Sequence, residues 1–188
     1  MKIIGIGREL PEQVYLMADS AIIRTNKPFF VPHFAQSFTG TPAIVLHIDR
    51  LGKHIAPRFA HRYCLAVAPA IKVTARGLDM EQPNEATSAL AHSFDGALLL
   101  GDFSDVDTPA SINEGEVTIE RNGESVSQGS LEVSGHDFRQ LIARLSVYFT
   151  LKMGDMIVVE LGGDIVLKTG DTLNAAINGN QKLTIRVK

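Results

Sequence analysis

The chain has 188 residues, 45% of them apolar, which suits a single domain with a core of ordinary size. Its 21 acids against 18 bases give a formal charge of −3 and no basic stripe, which argues against a nucleic-acid partner, and one cysteine, Cys64, excludes an internal disulfide and suits a reducing cytoplasm. No run approaches the ~18–20 apolar residues that cross a bilayer, and the apolar start broken at Arg8 is too brief for a signal-peptide core.

In chain order, most apolar runs are short, rich in Val and Ile, and bounded by Gly, Asn, Asp or Pro, which predicts strands rather than long helices. Residues 2–6 and 43–48 are the first two strands. Pro57 is a residue favoured in a first helical turn and predicts a short helix with Phe59 and Tyr63 on one side. Gly101-Asp102 predicts a turn, and residues 105–116, DVDTPASINEGE, read as loop. A strand over 117–120 leads to Asn122-Gly123, where the hairpin turn falls on residues that tolerate positive φ. Phe138, Leu141, Ile142, Leu145 and Phe149 share one face at helical spacing. That helix is expected to start behind Ser134-x-x-Asp137, in the manner of a capping box, and to end near Met153-Gly154. Gly154-Asp155 and Gly170-Asp171 predict turns, residues 156–160, 172–177 and 182–187 predict strands, and Asn178-Gly179-Asn180 predicts the last hairpin. With no repeat or heptad, residues 1–188 read as one mainly β (α+β) domain with few short helices.

Residues 50–78, RLGKHIAPRFAHRYCLAVAPAIKVTARGL, carry the strongest motif content. Together with MKIIGIGREL and KPFFVPHF before them, and SFDGALLLGDF, NGE and FTLKMGDMIVV after them, they resemble the fumarylacetoacetate hydrolase family in that family's order. The resemblance covers nearly the whole chain and implies the mixed β-roll or β-sandwich of that family's C-terminal domain, assembled as a homodimer. It also implies a chemistry. Members cleave or decarboxylate β-keto acids, or isomerise related dienoates, through an enolate stabilised by Mg²⁺ or Mn²⁺ held by carboxylates.

The acids that this metal needs are missing from the matching positions. The family's Glu-x-Glu pair falls on Thr41 and Ala43, and its third acid falls on Lys72. Three negative charges give way to one positive. At an effective dielectric of 20, a unit pair ~4 Å apart is worth roughly 4 kcal/mol, so a charged lysine facing a dication would be prohibitive. The resemblance also places His92 where the family has a lysine and Glu160 where it has a threonine. It aligns the early lid with ELPEQVYLMADS, which lacks a histidine, and puts Gly77 where an acid follows Arg76.

The sequence thus predicts a family member without bound metal, with Lys72, His92, Arg76 and Glu160 as candidate cleft residues and no confident catalytic residue. For Lys72 two roles stay open: an internal ion pair with Glu160, or attraction of a small anionic oxo acid helped by His92 and Arg76. Three functions stay open with them. The first is a protein that has lost the hydrolase activity. The second is an enzyme acting on a β-keto or oxo acid at a non-standard site, in its sharpest form through a Schiff base on Lys72. The third is a binding or regulatory subunit with its apolar dimer face preserved. His33, His47, His54 and His61 are not expected to converge on zinc, and Asp79 and Asp95 read as framework.

Overall fold

The computed structural model describes residues 1–7, 13–78 and 85–188. Fourteen strands and three α-helices are found there, in two sheets. The larger sheet contains β1 (Ile3–Ile6), β2 (Val14–Met17), β3 (Ile22–Arg24), β5 (Ala35–His47), β6 (Ala66–Leu78), β7 (Leu98–Leu100) and β11 (Met156–Glu160). Their order is β2-β1-β11-β5-β6-β7-β3, with β8 (Ser104–Asp105) on β6 and β12 (Ile165–Val166) on β5. The smaller sheet runs β10 (Glu124–Gly129), β9 (Val117–Arg121), β13 (Thr172–Ile177), β14 (Asn180–Val187), β4 (Pro28–Phe29). No described helix is long and apolar enough to cross a membrane.

The frame of the molecule is the antiparallel pair β5 and β6, in register from Ala35 opposite Leu78 to His47 opposite Ala66. The sequence shows only the last part of β5 and none of β6, because each contains a proline and β6 also carries Lys72 and Arg76. A proline lacks the N–H that a central strand donates. Pro42 is tolerated because its neighbour strand leaves at that point: β11 stops at Glu160 opposite Ala43, and β12 resumes at Ile165 opposite Gly40. The Pro42 carbonyl still accepts from Leu161 N at 2.8 Å. The gap between β11 and β12 swings Gly162, Gly163 and Asp164 off the ladder.

Alternation along the strands sends the two faces of the larger sheet to different cores. Phe38, Ile71 and Val73 meet Leu173, Leu183 and Ile185 of the smaller sheet. Ile44, Leu46 and Ile157 meet Phe138, Leu141, Ile142 and Leu145 from α3 (Phe138–Tyr148). A third cluster, including Ile3, Ala43, Val45, Ala70, Leu98 and Val158, occupies the face whose far end is polar. Each fully buried Leu or Ile contributes roughly 1.5–3 kcal/mol.

The predicted α3 is present, with two differences at its ends. Asp137 itself is the cap, accepting from Arg139 N at 2.8 Å and Gln140 N at 3.3 Å, while Ser134 bonds the Ser130 and Leu161 carbonyls and forms no capping box. The helix ends at Tyr148, before Gly154, because Leu151 is drawn into a bridge with Gly52. Pro57–Arg62 forms a 3₁₀ helix. The segment read as loop contains α2 (Pro109–Glu114), which starts on a Thr108 cap and a first-turn proline. Both expected hairpins are present, at Asn122 with φ 56° and Asn178 with φ 50°.

Candidate functional site

Strand register gathers the candidate residues. Thr41 is opposite Lys72 across β5 and β6, and Ala43 is opposite Glu160 across β5 and β11. Thr41 and Ala43 are two residues apart, so all four side chains share one face. On the other side of β11, β1 places Gly5 beside Val158, and β2 places Tyr15 opposite Gly5. Tyr15 lies across the bare backbone of Gly5, where an added Cβ would fall 2.1 Å from Tyr15 Cε2. Glycine is required there by the ring.

Tyr15 organises the centre. Its hydroxyl donates to Glu160 Oε1 at 2.6 Å, and the Lys72 ammonium lies 5.4 Å from its ring centroid. Lys72 is fully buried, and its Nζ donates to the Val73 carbonyl at 2.6 Å. Of the two roles left open for Lys72, the direct ion pair with Glu160 is not formed; the carboxylate takes its hydrogen bond from Tyr15. Burial pulls the Lys72 amine down to about 8; Glu160 opposes that shift, Arg76 adds to it and Asp164 opposes it. Burial also pushes the Tyr15 phenol well above its ordinary value, with Glu160 adding to the effect.

His92 joins from α1 (Glu85–Ser93), its ring 4.8 Å from that of Tyr15. Burial, then Lys72, then Arg76 lower its pKa to about 4, so it is neutral at neutral pH. Its Nδ1 is buried without a hydrogen-bond partner. Arg76 Nη2 donates to Asp164 Oδ2 at 2.9 Å, and Arg76 Nε to Thr39 Oγ1 at 3.4 Å. Asp164 Oδ1 accepts from Thr41 Oγ1 at 2.6 Å.

These groups border a cleft of about 290 Å³. Tyr15, Thr41, Arg76, His92 and Glu160 line it, joined by Thr74 and Asp164, whereas Lys72 lies beneath the lining. Three of the four candidate cleft residues therefore reach the cavity and the fourth is sealed below it. Tyr15 and Asp164 were missed from sequence. Gly5, an interruption in an apolar strand, was the available signal for Tyr15; Asp164 follows Gly162-Gly163 and owes its place to the break beside Pro42.

A hard dication requires several oxygen donors. At Thr41, Ala43 and Lys72, where the sequence resemblance would put the ligand acids, this face offers a hydroxyl already donating to Asp164, a methyl group and an ammonium. The donor set does not fit Mg²⁺ or Mn²⁺. Glu160 and Asp164 are held by Tyr15 and by Thr41 with Arg76, and among the described residues no group of three or more His, Cys, Asp or Glu side chains converges. His47 contacts Asp49 at 2.7 Å, His54 adopts φ 51°, and His61 lies on the 3₁₀ helix. Asp95 accepts from Ser20 Oγ at 2.7 Å, and Asp79 and residues 9–12 of the lid segment lie outside the described residues.

Solved structures share this architecture. Fumarylpyruvate hydrolase from Pseudomonas aeruginosa, in complex with Mn²⁺ and pyruvate, superposes with a TM-score of 0.88 at 16% identity, covering 100% of this chain and 89% of that one. The 2-hydroxyhepta-2,4-diene-1,7-dioate isomerase from Mycobacterium marinum gives 0.86 at 23% identity, covering 99% and 73%. The 5-carboxymethyl-2-hydroxymuconate delta-isomerase from Mycobacterium smegmatis gives 0.83 at 22% identity, covering 99% and 78%. At such identities the likeness is one of fold. A search of curated protein sequences finds no match. Residues 6–188 match the family described as fumarylacetoacetate (FAA) hydrolase C-terminal, and with the mainly β two-sheet architecture this establishes that the chain belongs to the fumarylacetoacetate hydrolase family.

Proposed function

We propose that this chain is a metal-independent member of its family, without the metal-dependent hydrolase activity, and that its remaining cleft receives a small carboxylate. The observation that carries the reading is the fully buried Lys72, opposite Thr41 on the face where the resemblance would put the ligand acids, with its ammonium 5.4 Å from the Tyr15 ring centroid. Such a cation repels a dication at close range. Above Lys72, Arg76 and the neutral His92 line the cavity. A homodimer in the cytoplasm is part of the same proposal.

The test is loading with Mn²⁺ or Mg²⁺, desalting and elemental analysis, beside assays on oxaloacetate and an acylpyruvate. Substoichiometric metal and no metal-dependent turnover are expected. One equivalent of retained metal, or turnover abolished by a chelator, would overturn the proposal.

A second reading is favoured by the lowering of the Lys72 amine to about 8, which makes a nucleophile available near neutral pH if Tyr15 moves aside. In that case the amine condenses with a 2-oxo acid, releasing water and forming an imine. Borohydride reduction in the presence of pyruvate, followed by intact mass, separates the readings: an unmodified Lys72 removes this one.

A further inference from the structure

The cleft does not end at His92. Gln13, Tyr15 and His92 line both the polar cavity and a second groove of about 470 Å³ that runs between β2 and α1. The other walls differ in chemistry. On the cleft side stand Thr74, Arg76 and Glu160; along the groove stand Val14, Leu16 and Ala89. Val14 and Leu16 are 46% and 51% exposed, so an apolar group laid against them would remove apolar surface from water. The groove is fixed on both sides, because Ser93 Oγ of α1 donates to the Leu16 carbonyl of β2 at 2.6 Å.

The polar end has its own selectivity. Both carboxylates there are engaged, Glu160 by Tyr15 and Asp164 by Thr41 and Arg76. Among the described residues Arg76 donates to Thr39 and Asp164, and its side chain, 54% exposed, borders the cavity. His92 lines both cavities, and its Nδ1 is buried without a hydrogen-bond partner. Burial first, then Lys72 and Arg76, disfavour the protonated form of His92.

We propose that the two cavities form one site for a carboxylate that carries an apolar tail, with the acid beside Arg76 and His92 and the tail along Val14, Leu16 and Ala89. This rests on the reading of the cleft as the place of an anionic ligand, and adds that the ligand is amphipathic.

Calorimetry with 2-oxobutanoate and 2-oxooctanoate holds the head constant and changes the tail. A fully buried methylene is worth about fourfold in affinity; in an open groove the four extra carbons should give roughly ten- to a hundredfold in total. In L16D the advantage of the longer acid should fall below about threefold, while the affinity for 2-oxobutanoate is retained. Equal affinity of the two acids for the native protein would overturn the tail and leave the anion site standing. No binding of either at millimolar concentration would remove both. Octylamine binding as tightly as 2-oxooctanoate would overturn the acidic head. A change in solution mass of the unliganded protein on L16D substitution would show that a second copy covers the groove, and the proposal would fall.

Discussion

The Tyr15 hydroxyl donates to Glu160 across 145 residues of sequence at 2.6 Å, and so ties an edge strand to the centre of the larger sheet. Y15F keeps the ring and removes the donor, leaving a nearly buried carboxylate with one partner fewer. The expected loss is about 1–3 kcal/mol in urea unfolding. Y15A should in addition uncover Lys72, read as faster reductive methylation of that residue by mass spectrometry. Unchanged Lys72 labelling in Y15A would mean that other groups provide the seal.

K72M removes a buried ammonium and keeps most of its volume. The folded amine titrates near 8 against an ordinary 10.5, so burial disfavours the protonated form. Stability associated with the neutral amine is present above pH 10.5 and lost as pH falls through 8. The substitution should therefore stabilise the protein by up to about 3 kcal/mol below pH 8, with the gain fading between pH 8 and 10.5. Destabilisation by K72M at pH 7 would indicate that the ammonium holds the site together.

His92 obeys the same sign at lower pH. Its folded value near 4 against an ordinary 6.5 means that the folded state resists the proton, so stability falls as pH drops from 6.5 toward 4. Proton NMR should show the His92 ring neutral at pH 5.5, and H92Q should flatten the acid limb of the stability profile. A His92 resonance titrating near 6.5 would contradict the placement of the ring.

G5A tests the contact beneath the ring. The added methyl would overlap Tyr15, which must shift or leave, and the expected outcome is a loss of about 1–3 kcal/mol with Lys72 more reactive than in the native protein. A native-like Tm together with native-like labelling would show that Tyr15 is not packed on Gly5.

The parts of the fold legible in the sequence are those where local chemistry and tertiary position agree. Asn122-Gly123 and Asn178-Gly179 turn because their backbone tolerates positive φ, and Phe138 to Leu145 form a helix because one face is buried. Thr108-Pro109 carried a helix start inside a segment whose polar composition read as loop. Strand β6 was hidden because Pro69, Lys72 and Arg76 interrupt its apolar pattern, and their place in the sheet is set by partners tens of residues away. The site divides in the same manner. Lys72, Arg76, His92 and Glu160 were found through the resemblance, but the replacement of an ion pair by a tyrosine could not be, since Tyr15 reaches Glu160 only through the pairing of β2 with β1 and of β1 with β11.

That pairing also governs how the chain is made. Ile3 pairs in parallel with Met156, so β1 leaves the ribosome well before its central neighbour, which is synthesised 153 residues later. Until then Ile3, Ile4 and Ile6, all completely buried at the end, have no finished sheet to enter. Long-range parallel pairing closes slowly and leaves apolar edges uncovered meanwhile. Nascent chains halted before residue 156 should depend on chaperones in a way that the released protein does not.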